Sequence, residues 1–342
     1  RIILPHYLKK EFNSLTSMRV LLTGAFGNVG TSTLEELLNR DYEVTVFELP
    51  NHRNRRLAKG YEKQESCRVI LGDIRRYDDV ARAVEGQDVV IHTAAIIPPL
   101  ADQKPMLAYD VNVGGTNNII KAMKNHNPQM KLIYTSSISI YGDRIKDPYI
   151  KKDDTPNPNE DDHYAKQKLM CEELIRESGL EAAIFRLSYI VSAGKLEMDS
   201  LMYYMPLDTA LEPCHTLDVG TALVNAIETP TVYGRILPIA GGLHSRISYR
   251  DYLDKMIELF GLGKRLLPEW AFKKSGFHCG YMDTEESQRL LKYQNHGLGY
   301  YFNEVKKAVA PTRFFAKMGG ALSKAIARAA LLKRSPNYGA DK

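Results

Sequence analysis

Short apolar runs rich in β-branched residues alternate, through the first half of the chain, with stretches whose apolar positions recur at helical spacing. The runs at residues 19–23, 43–47, 68–71, 88–92, 131–135 and 182–187 predict buried strands. Between them the spacing predicts helices near residues 28–40, 76–85, 105–125 and 160–178. This alternation predicts an α/β architecture, a doubly wound parallel sheet with helices on both faces. The pattern loosens at Ser188. Residues 188–214 are irregular and rich in Met and Tyr, after which 215–227 read as strand plus helix and 235–240 as another strand. The predicted organisation is an N-terminal extension (1–17), a first domain (18–187) to which segments near 215–240 return, a smaller discontinuous C-terminal lobe (188–311) and a tail (312–342). Pro148, Pro156 and Pro158, set among charges, mark 144–161 as a loop rather than a linker.

Composition adds limits. The overall charge is +5, but from Lys306 onward nine basic residues face Asp341 alone, so residues 1–305 are mildly acidic and the pI of 8.8 belongs to the tail. Nucleic acid is therefore excluded as a partner of the body. Cys67, Cys171, Cys214 and Cys279 lie far apart, without a CxxC pair or neighbouring His cluster. That predicts neither a metal site nor a disulfide framework, and a reducing, cytoplasmic setting. No apolar run approaches the roughly 20 residues that span a bilayer, and residues 1–17 do not read as a signal peptide. In the tail, Phe315, Met318, Leu322, Ile326 and Ala329 fall near one helical face, with Lys317, Lys324 and Arg328 elsewhere. This is the pattern of a basic helix lying on an anionic membrane, interrupted by Gly319-Gly320. The ordinary alternative, and the favoured expectation, is a terminal helix packed on the body or on a second subunit.

Thr23-Gly24-Ala25-Phe26-Gly27-Asn28-Val29-Gly30 falls between a predicted strand and a predicted helix. Glycines there permit a tight turn and close approach of backbone to a pyrophosphate, whose charge meets the helix N-terminus. The next strand ends on Glu48, where a carboxylate can accept the ribose hydroxyls of NAD and repel the 2′-phosphate of NADP. Arg53, Arg55 and Arg56 follow, and either hold a 2′-phosphate or form a solvated helix face. Asp73-Ile74 follows the third strand, where an Asp can reach an adenine amino group. Thr93-Ala94-Ala95 ends the fourth, where small residues let a cofactor lie against the backbone. Together these predict a Rossmann-type NAD site.

Tyr164 and Lys168, four residues apart at the start of a predicted helix, share one face. An ammonium within ~4–6 Å of a phenol holds its pKa below the usual ~10, and an oxidised nicotinamide would add a second positive charge, so the two together lead to the expectation of a Tyr164 tuned downward for general acid–base work. Ser137, in Thr135-Ser-Ser-Ile-Ser-Ile-Tyr-Gly142 at the end of the fifth strand, can converge with Tyr164, because ligands of open α/β sheets bind beyond the carboxyl ends of strands.

The glycine loop, Glu48, Asp73-Ile74, Thr93-Ala94-Ala95, the segment from Asn112 to Asn118, the Ser137 motif, Tyr164-x-x-x-Lys168 and Arg186-Leu187-Ser188 occur in one order. In that order the chain resembles the extended short-chain dehydrogenase/reductase family, in its NAD-dependent epimerase/dehydratase branch, over about residues 18–245. The resemblance implies Ser137, Tyr164 and Lys168 as a catalytic triad, with Asn112 as a structural or proton-relay fourth member. It implies that Gly24, Phe26, Gly27, Asn28, Val29, Gly30, Glu48, Asp73, Ile74, Thr93, Ala94, Ala95, Tyr164 and Lys168 hold NAD. It also implies a homodimer through the helices at 105–125 and 160–178.

Two departures matter. Dehydratases of the family carry Asp-Glu after the catalytic hydroxyl, whereas this chain has Ile138-Ser139, which disfavours elimination. Between Ser188 and Cys214 only Lys195 is basic, against Glu197, Asp199, Asp208 and Glu212, which offers little to a nucleotide-sugar pyrophosphate. Met198, Met202, Tyr203, Tyr204 and Met205 either line a substrate pocket or serve the core. His215 and Asp218 read as structural, and Asp283-Thr284-Glu285-Glu286 as a helix start. The leading expectation is oxidation of a secondary alcohol on a sugar or sugar-nucleotide-like substrate, with Tyr164 as base, by an epimerase or dehydrogenase. The alternative is a 3β-hydroxysteroid-dehydrogenase-like enzyme acting on a hydrophobic alcohol. A non-catalytic NAD-binding regulator is opposed by the intact Ser137, Tyr164 and Lys168.

Overall fold

In the computed structural model, which describes residues 18–196 and 200–339, seven strands form one parallel sheet. They are β1 (Arg19–Thr23), β2 (Glu43–Glu48), β3 (Cys67–Leu71), β4 (Val89–His92), β5 (Lys131–Ser137), β6 (Glu181–Leu187) and β7 (Ile236–Ile239). Their order is β7-β6-β5-β4-β1-β2-β3, every pair parallel. The winding reverses between β1 and β4, and at such a switch point the loops splay apart and leave a crevice. The flanking helices are α1 (Asn28–Asn39), α2 (His52–Tyr61), α3 (Tyr77–Val84), α4 (Gly115–His126), α5 (His163–Glu177) and α6 (Thr216–Ile227).

The period-two alternation of the strands builds two cores. Val20, Leu22, Val89, Ile91, Ala183 and Phe185 face Leu34 and Leu37 of α1 and Val219 and Leu223 of α6. Leu21, Val90, Leu132, Tyr134 and Ile184 face Val80 of α3, Ile119 and Met123 of α4 and Cys171 and Ile175 of α5. Burying both faces explains why these strands read as continuous apolar runs.

The helix expected over 105–125 is broken. Pro105–Tyr109 leads into a π-helical turn at Asp110–Gly114, and only then does α4 begin. Such single π turns are frequent at functional sites, and Asn112 stands in the middle of this one.

A separate core underlies the second lobe. Val191, Tyr203, Met205, Leu207 and Leu211 pack with α7 (Tyr249–Leu259) and with Tyr301, Val305 and Leu331. Tyr203 and Met205 thus serve packing, Tyr204 is exposed, and Met198, Glu197 and Asp199 lie outside the described residues, as do 1–17 and 340–342. Glu212 is fully buried; its carboxylate accepts from the main-chain N–H of Gly242 (3.0 Å) and Met282 (3.1 Å) and from Arg246 Nε (2.9 Å), knitting three loops together. Helix α8 (Glu285–Leu291) has Thr284 at its N-cap, without a side-chain cap bond; Glu286 instead pairs with Lys152 and Arg235. Asp218 accepts from the main-chain N–H groups of Asn295 and His296 and from the His296 ring, while the ring of His215 meets Glu304 at 2.8 Å. Both acidic contacts fasten α6 to α9 (Leu298–Ala308) and the turn before it. The chain ends in α10 (Ala310–Met318) and α11 (Gly320–Leu332).

All four cysteines are free and buried. Among the described residues no group of His, Cys, Asp and Glu could hold a metal ion, and no helix is long and apolar enough to cross a membrane.

Candidate active site

The loop after β1 is shaped by three glycines. Gly24 has φ +73°, and a Cβ there would lie 2.7 Å from the Ala94 backbone; one on Gly30 would lie 1.9 Å from the Gly24 carbonyl oxygen. At Gly27 only that same oxygen comes near, at 3.2 Å, so the space beside it is otherwise open. Helix α1 starts with Gly27 at its N-cap, no side-chain cap bond and no acid in its first turn. The first N–H groups of Asn28, Val29 and Gly30 thus present the positive end of the helix dipole at the switch point. Thr93 Oγ1 donates to the Thr23 carbonyl (2.8 Å), and Ala94 N donates to Thr23 Oγ1 (3.3 Å), which pins the 93–95 segment beside this loop.

Glu48 ends β2 at the rim of the loop. Its Oε1 accepts from the Phe26 N–H at 2.6 Å and its Oε2 from Asn54 Nδ2 at 3.0 Å. Burial pushes its pKa up, opposed by the Phe26 and Leu49 hydrogen bonds and by the nearby Arg53. A carboxylate has about four lone-pair sites, and with Phe26, Leu49 and Asn54 donating, one stays open for a further donor. Arg53, Arg55 and Arg56 are all exposed on α2, and Arg53 donates to the Phe26 carbonyl at 3.0 Å. Asp73 is bound to Arg75 (2.5 Å), which holds its carboxyl below the usual range. Its carboxylate is thus already paired in the place where an adenine amino group was expected. Ile74 is buried against Gly115, and its carbonyl accepts from Asn118.

Ser137, Tyr164 and Lys168 come together at the carboxyl end of β5. Ser137 caps a short 3-10 turn (Ile138–Tyr141), its Oγ accepting from Ser139 N at 3.1 Å and meeting Ser139 Oγ at 2.9 Å. Asp162 caps α5 by accepting from Ala165 N (2.8 Å), which fixes Tyr164 in the first turn. Lys168 is buried; its Nζ donates to the Thr135 carbonyl at 2.6 Å and lies 4.7 Å from the Tyr134 ring and 5.7 Å from the Tyr164 ring. Burial lowers the Lys168 pKa to about 8, opposed by Cys171 and Glu172. In the protein alone, without the nicotinamide charge, the Tyr164 pKa is shifted upward. Burial around the hydroxyl pushes it well up, Asp162 adds to this, and the hydrogen bond with Ser137 opposes it. The physical reason is desolvation, which outweighs an ammonium held by a carbonyl and itself made less charged.

Asn112 is 2% exposed, and its amide is fully engaged. Oδ1 accepts from Ile96 N (2.7 Å), while Nδ2 donates to the Ile96 carbonyl (2.9 Å) and Gln167 Oε1 (2.8 Å). It ties the loop after β4 to α5, one residue from Lys168.

Two groups went unnoticed in the sequence. His92 is 1% exposed between the hydroxyls of Thr23 (2.7 Å) and Thr116 (3.0 Å). Burial, and then Lys168, lower its pKa to about 3, so it is neutral. Glu172, buried one turn beyond Lys168, holds Arg186 at 2.7 Å and accepts from Ser136 Oγ at 2.5 Å; Arg186 in turn donates to the Tyr141 hydroxyl at 2.7 Å. The available signal was a polar residue at the end of an apolar strand for His92, and the i, i+4 step from Lys168 for Glu172.

The family model described as the NAD dependent epimerase/dehydratase family matches residues 20–223. Among curated proteins, 3 beta-hydroxysteroid dehydrogenase type 7 of Mus musculus is 34% identical over 164 residues, 46% of this chain and 44% of that one. UDP-glucose 4-epimerase of Pisum sativum is 30% identical over 175 residues, 47% of this chain and 48% of that one. The chain spans about half the length of the curated relatives it matches. The solved UDP-glucuronic acid 4-epimerase from Bacillus cereus, in complex with NAD, is similar in fold, with a TM-score of 0.70 at 21% identity over 86% of this chain and 100% of that one.

Proposed function

This chain belongs to the NAD dependent epimerase/dehydratase family, and we propose that it oxidises a secondary alcohol of a sugar or sugar-nucleotide-like substrate, using NAD, with Tyr164 as general base. The observation that carries this reading is the convergence of Ser137, Tyr164 and Lys168 beside the glycine loop at the switch point of the sheet.

The cradle at Gly27 and the uncapped start of α1 fit a pyrophosphate, and the remaining acceptor site of Glu48 fits a ribose hydroxyl. Thr93, Ala94 and Ala95 would form the floor of the site. When bound, NAD supplies the hydride acceptor and a positive ring charge near the phenol. The chain's own residues handle the proton. Ser137 Oγ holds the substrate oxygen, and the Tyr164 oxygen takes the hydroxyl proton. For this Tyr164 first gives up its own proton; Lys168, with a pKa of about 8 and so mostly charged at pH 7, favours the resulting phenolate, which takes the substrate proton and returns to phenol. Neutral His92 leaves Lys168 as the local cation. Asn112 holds the loop after β4 in place. Residues 188–311 serve as the substrate lobe. Ile138 and Ser139 are buried, so no carboxylate follows the Ser137 hydroxyl to drive elimination, which supports epimerisation or simple dehydrogenation.

A second reading, a dehydrogenase of hydrophobic alcohols, is favoured by the mouse relative, which is named for dehydrogenation of a 3 beta-hydroxysteroid. It also agrees with Lys195 being the lone basic residue between Ser188 and Cys214. The test is incubation with NAD and panels of sugars, nucleotide sugars and sterols, following NADH absorbance and substrate conversion. Conversion of a nucleotide sugar without net NADH supports an epimerase. Stoichiometric NADH with a sterol supports the second reading. Failure of every secondary alcohol to react would overturn both.

A further inference from the structure

We propose that α10 and α11 form a docking surface for an anionic lipid bilayer. Both helices are held to the body along one side only. Arg313, Ala316, Ser323 and Ala327 are half-buried there, Leu331 and Leu332 are buried, and Arg328 Nε donates to the Leu266 carbonyl at 3.0 Å. Helix α10 buries no residue at all. The large apolar side chains point the other way: Phe314 is 61% exposed, Phe315 68%, Met318 71%, Leu322 69% and Ile326 61%. Phe315 and Met318 are three residues apart on α10, and Leu322 and Ile326 four apart on α11, so each pair shares one face of its own helix. A helix that turns its most apolar stripe outward while packing Ala, Ser and Gly inward has that stripe for something outside the chain.

Charge selects the occupant. Residues 306–339 contain eight basic side chains and no Asp or Glu. An apolar face on a uniformly cationic element matches an interface in which acyl chains lie beneath anionic headgroups. Pairing the same patch with a second copy would bring the two cationic sets together across the contact, which repels. A bilayer instead gains from every lysine and arginine near its surface.

The test is flotation of the full chain with vesicles of phosphatidylcholine alone, or mixed with phosphatidylglycerol, at low and high salt. The probes are the wild type, Phe315→Ser/Leu322→Ser/Ile326→Ser and Lys317→Gln/Lys324→Gln. The wild type should bind the anionic vesicles at least about tenfold better than the neutral ones, and less well at high salt. The apolar triple variant should lose at least about tenfold of that binding. The lysine variant should bind more weakly and respond less to salt. All three should keep the same melting temperature and NAD affinity, because the altered side chains lie outside all three cores. Failure to bind anionic vesicles, equal binding to both compositions, or unchanged binding by the triple variant overturns the proposal. So does a wild-type dimer, in the absence of lipid, that the triple variant converts to monomer, because a second copy then covers the row.

Discussion

The Lys168 ammonium lies 5.7 Å from the centre of the Tyr164 ring, one turn along the same helix, and burial drives each group toward its uncharged form. The pair is therefore poised for proton exchange rather than locked as phenolate and ammonium. Replacing Tyr164 by Phe removes the hydroxyl and leaves the packing of the ring. Tyr164→Phe should lose roughly 10²–10⁴-fold in turnover, the range typical of a lost acid–base group, while NAD affinity by calorimetry stays near wild type. A variant that retained more than about a tenth of kcat would remove Tyr164 from the role of base.

Lys168 is costly to the fold. Its pKa falls from 10.5 to about 8, chiefly through burial. Below pH ~8 it is charged in both folded and unfolded chains, and the folded state carries the whole desolvation penalty. Between about 8 and 10.5 the unfolded chain binds a proton that the folded chain does not, so stability attributable to this group rises with pH. Lys168→Met keeps the length of the side chain and removes the charge. It should raise the melting temperature at pH 7, reflecting a gain of order a few kcal/mol less the lost bond to the Thr135 carbonyl. The advantage should shrink as pH climbs from ~8 to ~10.5, and turnover should collapse. A variant less stable than wild type at pH 7 would show that the hydrogen bond, not the buried charge, dominates.

The sheet was legible because its strands are buried on both faces and its helices carry one apolar stripe; either pattern survives without knowledge of the partner. β1, for instance, has the predicted bounds, and β7 rejoins the sheet where residues 235–240 pointed. The glycine loop was legible for a similar reason, since close backbone approach at Gly24 and Gly30 leaves few alternatives to glycine. What stayed hidden depends on contacts between distant segments. The π turn around Asn112 coincides with bonds to Ile96 and Gln167, 16 and 55 residues away. The Glu172–Arg186 pair, and the sign of the Tyr164 shift, come from burial that local sequence does not report.

We predict that cofactor choice rests on Glu48. Its carboxylate already fixes the loop through the Phe26 N–H and keeps one acceptor site for a further donor. A 2′-phosphate would meet this negative charge and would find Arg53 already donating to the Phe26 carbonyl. The chain should prefer NAD over NADP by at least ~10-fold, about 1.4 kcal/mol. Glu48→Gln should narrow that preference, and Arg53→Ala should leave it largely intact. Calorimetric titration of both cofactors measures this. Tighter binding of NADP by the wild type would hand the site to the arginines.

His92 makes the nucleotide domain sensitive to acid. Its ring is wedged between Thr23 and Thr116, and burial together with the Lys168 charge lowers its pKa from 6.5 to about 3. Above pH ~6.5 it is neutral whether the chain is folded or not, and the group adds no pH dependence. As pH falls from ~6.5 toward ~3 the unfolded chain takes up a proton that the folded chain refuses, so stability is lost by about 1.4 kcal/mol per pH unit. His92→Gln keeps hydrogen-bonding groups between the two threonines and cannot gain the charge. Urea unfolding at pH 7 and pH 4.5 should show a smaller drop in stability for this variant, by a couple of kcal/mol. The comparison of slopes matters, because carboxylates such as Asp73 and Asp88, held low by arginines, contribute acid lability equally to both proteins. Equal drops in the two proteins would mean that the His92 ring gains its proton in the folded state, through rearrangement of Thr23 and the glycine loop it supports.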